Sequence, residues 1–140
     1  MKEFIEFCID PIKKALWAPV IIFIFYVTVL MTPNVSDFLP SWWDSAAHFV
    51  GGMAICFFFH AASKAPHSEK FLGRHTRFSL FVLLVALTAL AAVLWEIAEW
   101  VDDVFMGTGV QVTVTDTICD LFMGLVGGAV VALRAAIKHS

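Results

Sequence analysis

The chain has 140 residues, sixty per cent of them apolar, and a formal net charge of −3. One domain suits that length, and so apolar a composition excludes the ordinary soluble arrangement in which polar faces wrap an apolar core. The net charge by itself says little, and no nucleic-acid partner is expected; the distribution of the charges says much more.

The first segment, Lys2–Lys14, interleaves Phe4, Ile5, Phe7 and Ile9 with charged residues, the pattern of an amphipathic helix lying on a membrane surface. Four apolar stretches follow, roughly Ala15–Met31, Ser45–Ala62, Phe78–Val101 and Asp116–Ile137. Each approaches the ~20 residues that a helix needs to cross a ~30 Å hydrocarbon layer. Phe78–Leu94 carries no charge and almost no polar side chain, whereas a soluble surface helix would show a polar stripe. Pro19 falls in the opening turn of the first stretch, where a missing N–H costs little. Glu3, Glu6 and Asp10 beside the early lysines, and Met31-Thr32-Pro33 without a small-x-small site, argue against a cleaved signal peptide. The fold expected is therefore an all-α, four-helix polytopic membrane bundle.

The connections are informative in turn. Thr32–Trp43 holds Pro33, Asn34, Pro40 and the pair Trp42-Trp43; these tryptophans, with Trp95 and Trp100, suit a membrane interface. The loop between the second and third stretches is basic and solvated, and its His67 and His75 have no metal-binding spacing. In the last connection, Gly107-Thr108-Gly109 precedes Val110, Val112 and Val114, which alternate with Gln111, Thr113 and Thr115. A period of two predicts a short extended segment there, resting on protein or in water. Gly124/Gly128 and Ala47/Gly51 are small-x-x-x-small pairs that predict close helix packing.

All nine basic residues lie before the first stretch (Lys2, Lys13, Lys14), between the second and third (Lys64, Lys70, Arg74, Arg77) or at the end (Arg134, Lys138). The positive-inside rule then places both termini and the middle loop in the cytoplasm. The three cysteines, Cys8, Cys56 and Cys119, are dispersed and odd in number, so no disulfide framework is implied.

With that topology, ionisable residues collect at the outer boundary. Asp44/His48 and Asp116/Asp120 are spaced i,i+4 and Glu96/Glu99 i,i+3, so each pair shares one helix face. Three helices thus present Asp44, His48, Glu96, Glu99, Asp116 and Asp120 at matching depth. Ionisable residues in such segments usually face protein or a water-filled cavity and mark function. Five carboxylates without a nearby Lys or Arg need protons or a cation. One imidazole with carboxylates suits a divalent metal ion, Zn²⁺, Mn²⁺ or Fe. Glu96, Glu99 and Asp120 are the candidate catalytic residues. A purely structural knot, with Asp44 and Asp116 capping their helices, is the alternative.

Trp43-Asp44-x-x-x-His48-Phe49-x-x-Gly52 resembles the Asp-x-x-x-His-Phe signature of VanZ-like and YjdF-type bacterial inner-membrane proteins. Leu94-Trp95-Glu96-Ile97-Ala98-Glu99-Trp100 is similar to the YjdF-type Glu-x-x-Glu-Trp segment. Gly107-Thr108 and Asp116-Thr117-x-x-Asp120 with Gly127 resemble the last motif of that family. The chain departs from the pattern at Ser45, often Lys there, and at Thr113, often Asp. The resemblance implies a multi-pass protein of the bacterial inner membrane; its VanZ-like branch is linked with glycopeptide resistance.

Three function classes stay open. A metal-dependent enzyme would act on a membrane lipid or lipid-linked envelope substrate at the outer leaflet, with Gly107–Thr115 as a lid. A cation or proton transporter would need a polar path, and the inner half offers little beyond His60 and Thr88. A non-enzymatic envelope or resistance factor would use the cluster only to fix helix packing. The sequence does not settle the oligomeric state.

Overall fold

Pro19 shapes the first part of the molecule. It has no N–H to give the carbonyl of Ala15, and its ring crowds that carbonyl. In the computed structural model, which describes residues 1–32, 38–40, 42–109 and 113–139, the helix breaks there. Helix α1 (Lys2–Ala15) and helix α2 (Trp17–Met31) meet at a 54° bend. The Trp17 indole donates to the carbonyl of Lys14 at 3.0 Å, satisfying one group left free by the break.

Helix α3 (Trp43–Ser63) follows, then the short α4 (Ser68–Leu72), the long α5 (Arg77–Met106) and α6 (Val114–Ile137). Helices α3, α5 and α6 are each long and apolar enough to cross a membrane. Alone, α2 is short: 15 residues cover only ~22 Å at 1.5 Å per residue. The spans number four if the bent α1–α2 pair makes one. Leu90, Leu94, Val130 and Leu133 are among many large apolar side chains more than half exposed on the bundle's outside, where lipid would cover them.

The centre of the bundle is backbone against backbone. A Cβ on Gly52 would lie 2.0 Å from the Gly124 carbonyl oxygen, and one on Gly127 equally close to that of Phe49, so α3 and α6 touch through glycine. On the other side of α6, a Cβ on Gly128 would strike the Thr88 methyl of α5 at 2.6 Å. The expected pair Gly124/Gly128 thus lies at contacts. In the expected pair Ala47/Gly51, the glycine does not: a Cβ on Gly51 would meet nothing within 4 Å, and Gly52 makes the approach instead.

At one end, Cys56, Leu80, Leu84, Ala132 and Ala135 form an apolar core packed by Phe59, Phe81, Val85 and Val131. The basic residues gather at this end. Phe4 and Phe7 of α1 stack on Phe71 of α4 at 5.4 and 5.0 Å. Beside them Lys70 pairs with Glu3, and its ammonium holds the Glu3 carboxyl below the usual range. The Arg77 guanidinium donates to the carbonyl of His139 at 2.9 Å, tying the start of α5 to the end of α6.

Several expected boundaries shift. Helix α3 starts at Trp43 rather than Ser45, and α5 continues past Val101 to Met106. Gly107 closes α5 in the left-handed conformation (φ +67°), and the Thr108 hydroxyl returns to Asp102 and Asp103 at 2.8 and 2.7 Å. Among the described residues there is no strand, and at its described ends the extended segment expected over Gly107–Thr115 gives way to helix. Thr113 is extended as the N-cap of α6, and Val114 and Thr115 are already helical. Val110, Gln111 and Val112 lie outside the described residues. Local capping outweighs the alternating pattern, because the Thr113 hydroxyl accepts the Asp116 N–H at 3.1 Å.

Candidate metal centre

His48 lies on α3 one turn beyond Asp44, and its side chain is 10% exposed. Three helices bring carboxylates to it. Its Nδ1 is 3.7 Å from Glu96 Oε1 on α5. Its Nε2 is 3.8 Å from Asp44 Oδ1 on its own helix and 3.9 Å from Asp120 Oδ2 on α6. Glu96 and Asp120 are more deeply buried than His48, at 7% and 5% side-chain exposure. Close glycine packing of α3 on α6 makes this meeting achievable, since larger residues would hold His48 and Asp120 apart.

These separations are too long for hydrogen bonds. His48 Nε2 and Glu96 Oε1 are both buried and have no hydrogen-bond partner. Burying polar atoms in that state is costly. The spacing instead approaches the ~3.4 Å edge of a tetrahedron of ligands held by ~2.1 Å bonds to a central ion. Asp44, His48 and Asp120 form one metal-capable group, with ligand atoms within 4.8 Å of one another; His48, Glu96 and Glu99 form a second. The two groups share the imidazole.

Glu99 is held differently. Its Oε1 accepts from the Trp95 indole at 2.8 Å and from the Tyr26 hydroxyl at 3.1 Å. The same hydroxyl lies 3.2 Å from Asp44 Oδ1. A phenol carries one proton, so it can donate to only one of the two carboxyls at a time. The Trp95 ring packs against Tyr26 and Phe23 at 5.7 and 5.8 Å, bridging α5 to α2.

Five of the six expected site residues therefore converge: Asp44, His48, Glu96, Glu99 and Asp120. Asp116 belongs to neither metal-capable group among the described residues. It sits in the first turn of α6 above Asp120, and neither it nor Asp44 caps its helix. Thr113 caps α6, and the N-cap of α3 is Trp42 without a side-chain hydrogen bond. Both carboxylates occupy first turns, where the helix dipole favours negative charge. Glu96 and Glu99 lie about two to three turns before the end of α5, since that helix runs on to Met106.

Tyr26 has no counterpart among the expected residues, although it is 7% exposed and touches two of them. Its one sequence signal is that it is the single tyrosine of the chain, set in an apolar run. Trp95, expected at a membrane interface, is instead turned inward as a hydrogen-bond donor to Glu99.

No curated protein matches the chain, and no solved structure does. A family model described as "Predicted membrane protein (DUF2238)" matches residues 6–140, nearly the whole chain, with all of the cluster inside it. The chain belongs to that family of membrane proteins.

Proposed function

We propose that this protein is a four-span bacterial inner-membrane protein, both termini cytoplasmic, that holds a divalent metal ion at the outer boundary. In this reading it acts there on a lipid or lipid-linked envelope substrate. The ligands are Asp44, His48 Nε2 and Asp120, with Zn²⁺, Mn²⁺ or Fe as the candidate ions. One observation carries the reading: a nine-tenths-buried imidazole whose Nε2 has no hydrogen-bond partner stands between carboxylates of two helices. With Nε2 on the ion, the Nδ1–H faces Glu96, the orienting arrangement usual for metal-bound histidine. A bound ion would polarise a phosphoryl or carbonyl oxygen and acidify a water. Glu96, whose Oε1 is otherwise unpartnered, is the group positioned to hold or move a proton. Tyr26 and Trp95 fix Glu99, which fills out the acidic wall.

The motifs similar to VanZ-like and YjdF-type proteins support the bacterial inner-membrane assignment, and the one-sided basic residues support the orientation. A transport role is less well supported. Among the described residues, Thr88 is the buried polar residue outside the cluster, and its hydroxyl already donates to the carbonyl of Leu84 at 2.8 Å; His60 Nε2 is a further buried polar atom on α3. The test is elemental analysis of protein purified from metal-replete cells. Wild type should carry a stoichiometric transition metal, and His48→Ala should lose it while keeping its helical circular dichroism. Metal-free wild type, or equal metal in both, removes the metal centre from the proposal.

A further inference from the structure

Beneath the cluster, α2, α3 and α5, with Gly124 of α6, line a half-open cavity of about 320 Å³. Its walls are mostly apolar: His48 and Tyr26 belong to the cluster, the Trp95 indole N–H is spent on Glu99, and the Thr88 hydroxyl on the carbonyl of Leu84. Along α3 it runs from Ala47 to Ile55, ~12 Å at 1.5 Å per residue. Small side chains create the space. Ala47, Gly51, Ala91 and Ala92 line it, and a Cβ on Gly51 would still meet nothing within 4 Å. The cavity is about half open, so its apolar lining lies within reach of the surrounding lipid. Water is a poor occupant, since each molecule wants two to four polar partners. Val20 and Phe23 line the cavity and are also 41% and 51% exposed on the outside of the bundle, so they stand where the cavity meets the surrounding lipid.

We infer that this cavity receives one hydrocarbon chain of a membrane lipid, with the lipid's polar head group at the His48 cluster. The inference rests on the site proposed above and names its substrate class: an amphiphile whose aliphatic chain, acyl or isoprenoid, lies between α2 and α5. The apolar lining recognises the chain, and the ionisable end at His48 and Tyr26 fixes its direction. The aromatic contact of Phe23 and Tyr26 with Trp95 stands where chain and head group would join. Gly51 is then retained for the space it leaves, not for helix contact.

The protein would be reconstituted in nanodiscs with a phosphatidylglycerol carrying a diazirine on its acyl chain, and separately with a diazirine-bearing isoprenyl phosphate. After irradiation, adducts are mapped by mass spectrometry, and metal content is measured on the same samples. Adducts should fall within Ala47–Ile55 and Ala91–Trp95, and the probe giving more of them identifies the chain type. Gly51→Leu, whose Cβ enters open space, projects into the cavity and should lower these adducts roughly tenfold, while adducts at lipid-facing Val130 and Leu133 and the metal content stay unchanged. Ala91→Leu, from the opposite wall, should do the same. Adducts confined to lipid-facing positions, or indifferent to both substitutions, overturn the inference even if the metal is present. Adducts that respond to Gly51→Leu in a protein without metal uphold the lipid cavity and count against the metal centre alone.

Discussion

Glu96 and Asp120 separate a cation site from a structural knot, because an amide keeps their size and most of their hydrogen bonding while removing a potential charge. Around a metal ion, Asp120→Asn removes an anionic ligand, and Glu96→Gln removes the carboxylate that faces His48 Nδ1 at 3.7 Å. Losses of such support typically cost ~10–100-fold in metal affinity or activity. In a knot without metal, relieving crowded like charges should leave the melting temperature unchanged or raise it. Metal affinity and melting temperature measured on Glu96→Gln and Asp120→Asn therefore give opposite patterns for the two cases. If both variants melt at or above wild type and metal is absent throughout, the cluster is architecture. At this scale the i,i+4 and i,i+3 spacings made Asp44, His48, Glu96, Glu99 and Asp120 legible, since those spacings fix shared helix faces. Tyr26 was not legible. Its approach to Asp44 and Glu99 depends on how α2 is rotated after the bend at Pro19, which no local spacing encodes.

Helix contacts are where two adjacent glycines part ways. Gly52 stands against the backbone of Gly124, and a methyl there would need the 2.0 Å approach to open, with no flexible side chain able to yield. Gly52→Ala should therefore lower stability by ~1–3 kcal/mol or more, and by moving α3 from α6 it should also weaken metal binding at His48 and Asp120. Gly51→Ala enters open space, and should stabilise the helix by ~0.5–1 kcal/mol as alanine replaces glycine. Thermal melts of the two variants in one detergent check the contrast; equal destabilisation would contradict the α3–α6 contact described. The sequence could indicate that small residues pack helices, but not which of two neighbouring glycines faces α6, because a one-residue step turns a helix face by about 100°. Helix cores were legible from apolar runs, while helix ends were not. Val114 and Thr115 joined α6 because Thr113 caps it, and α5 outran its apolar run through Asp102 and Asp103 to Gly107.

For the molecule as a whole, the depth of every residue discussed depends on orientation. The family match and the apolar helices make this a membrane protein, and the proposed orientation rests on where the positive charges fall. Lys2, Lys13, Lys14, Lys64, Lys70, Arg74, Arg77, Arg134 and Lys138 account for all nine. In the fold, α1, α4, the start of α5 and the end of α6 bring them to one end, while the carboxylate cluster lies toward the other. Translocating that basic end would carry nine positive charges across the membrane against the potential, at ~2.3 kcal/mol per charge per 100 mV. The acidic end carries no such penalty. Reporter fusions after Ser68 and Ser140 should therefore read cytoplasmic, and fusions after Ser36 and Gly109 external. A span count of three would put the two termini on opposite sides, so a fusion at Ser140 compared with an N-terminal tag also decides whether the bent α1–α2 pair crosses. An external signal at Ser68 would invert the molecule. The His48 cluster would then face the cytoplasm, and an envelope substrate at the outer leaflet would no longer be within its reach.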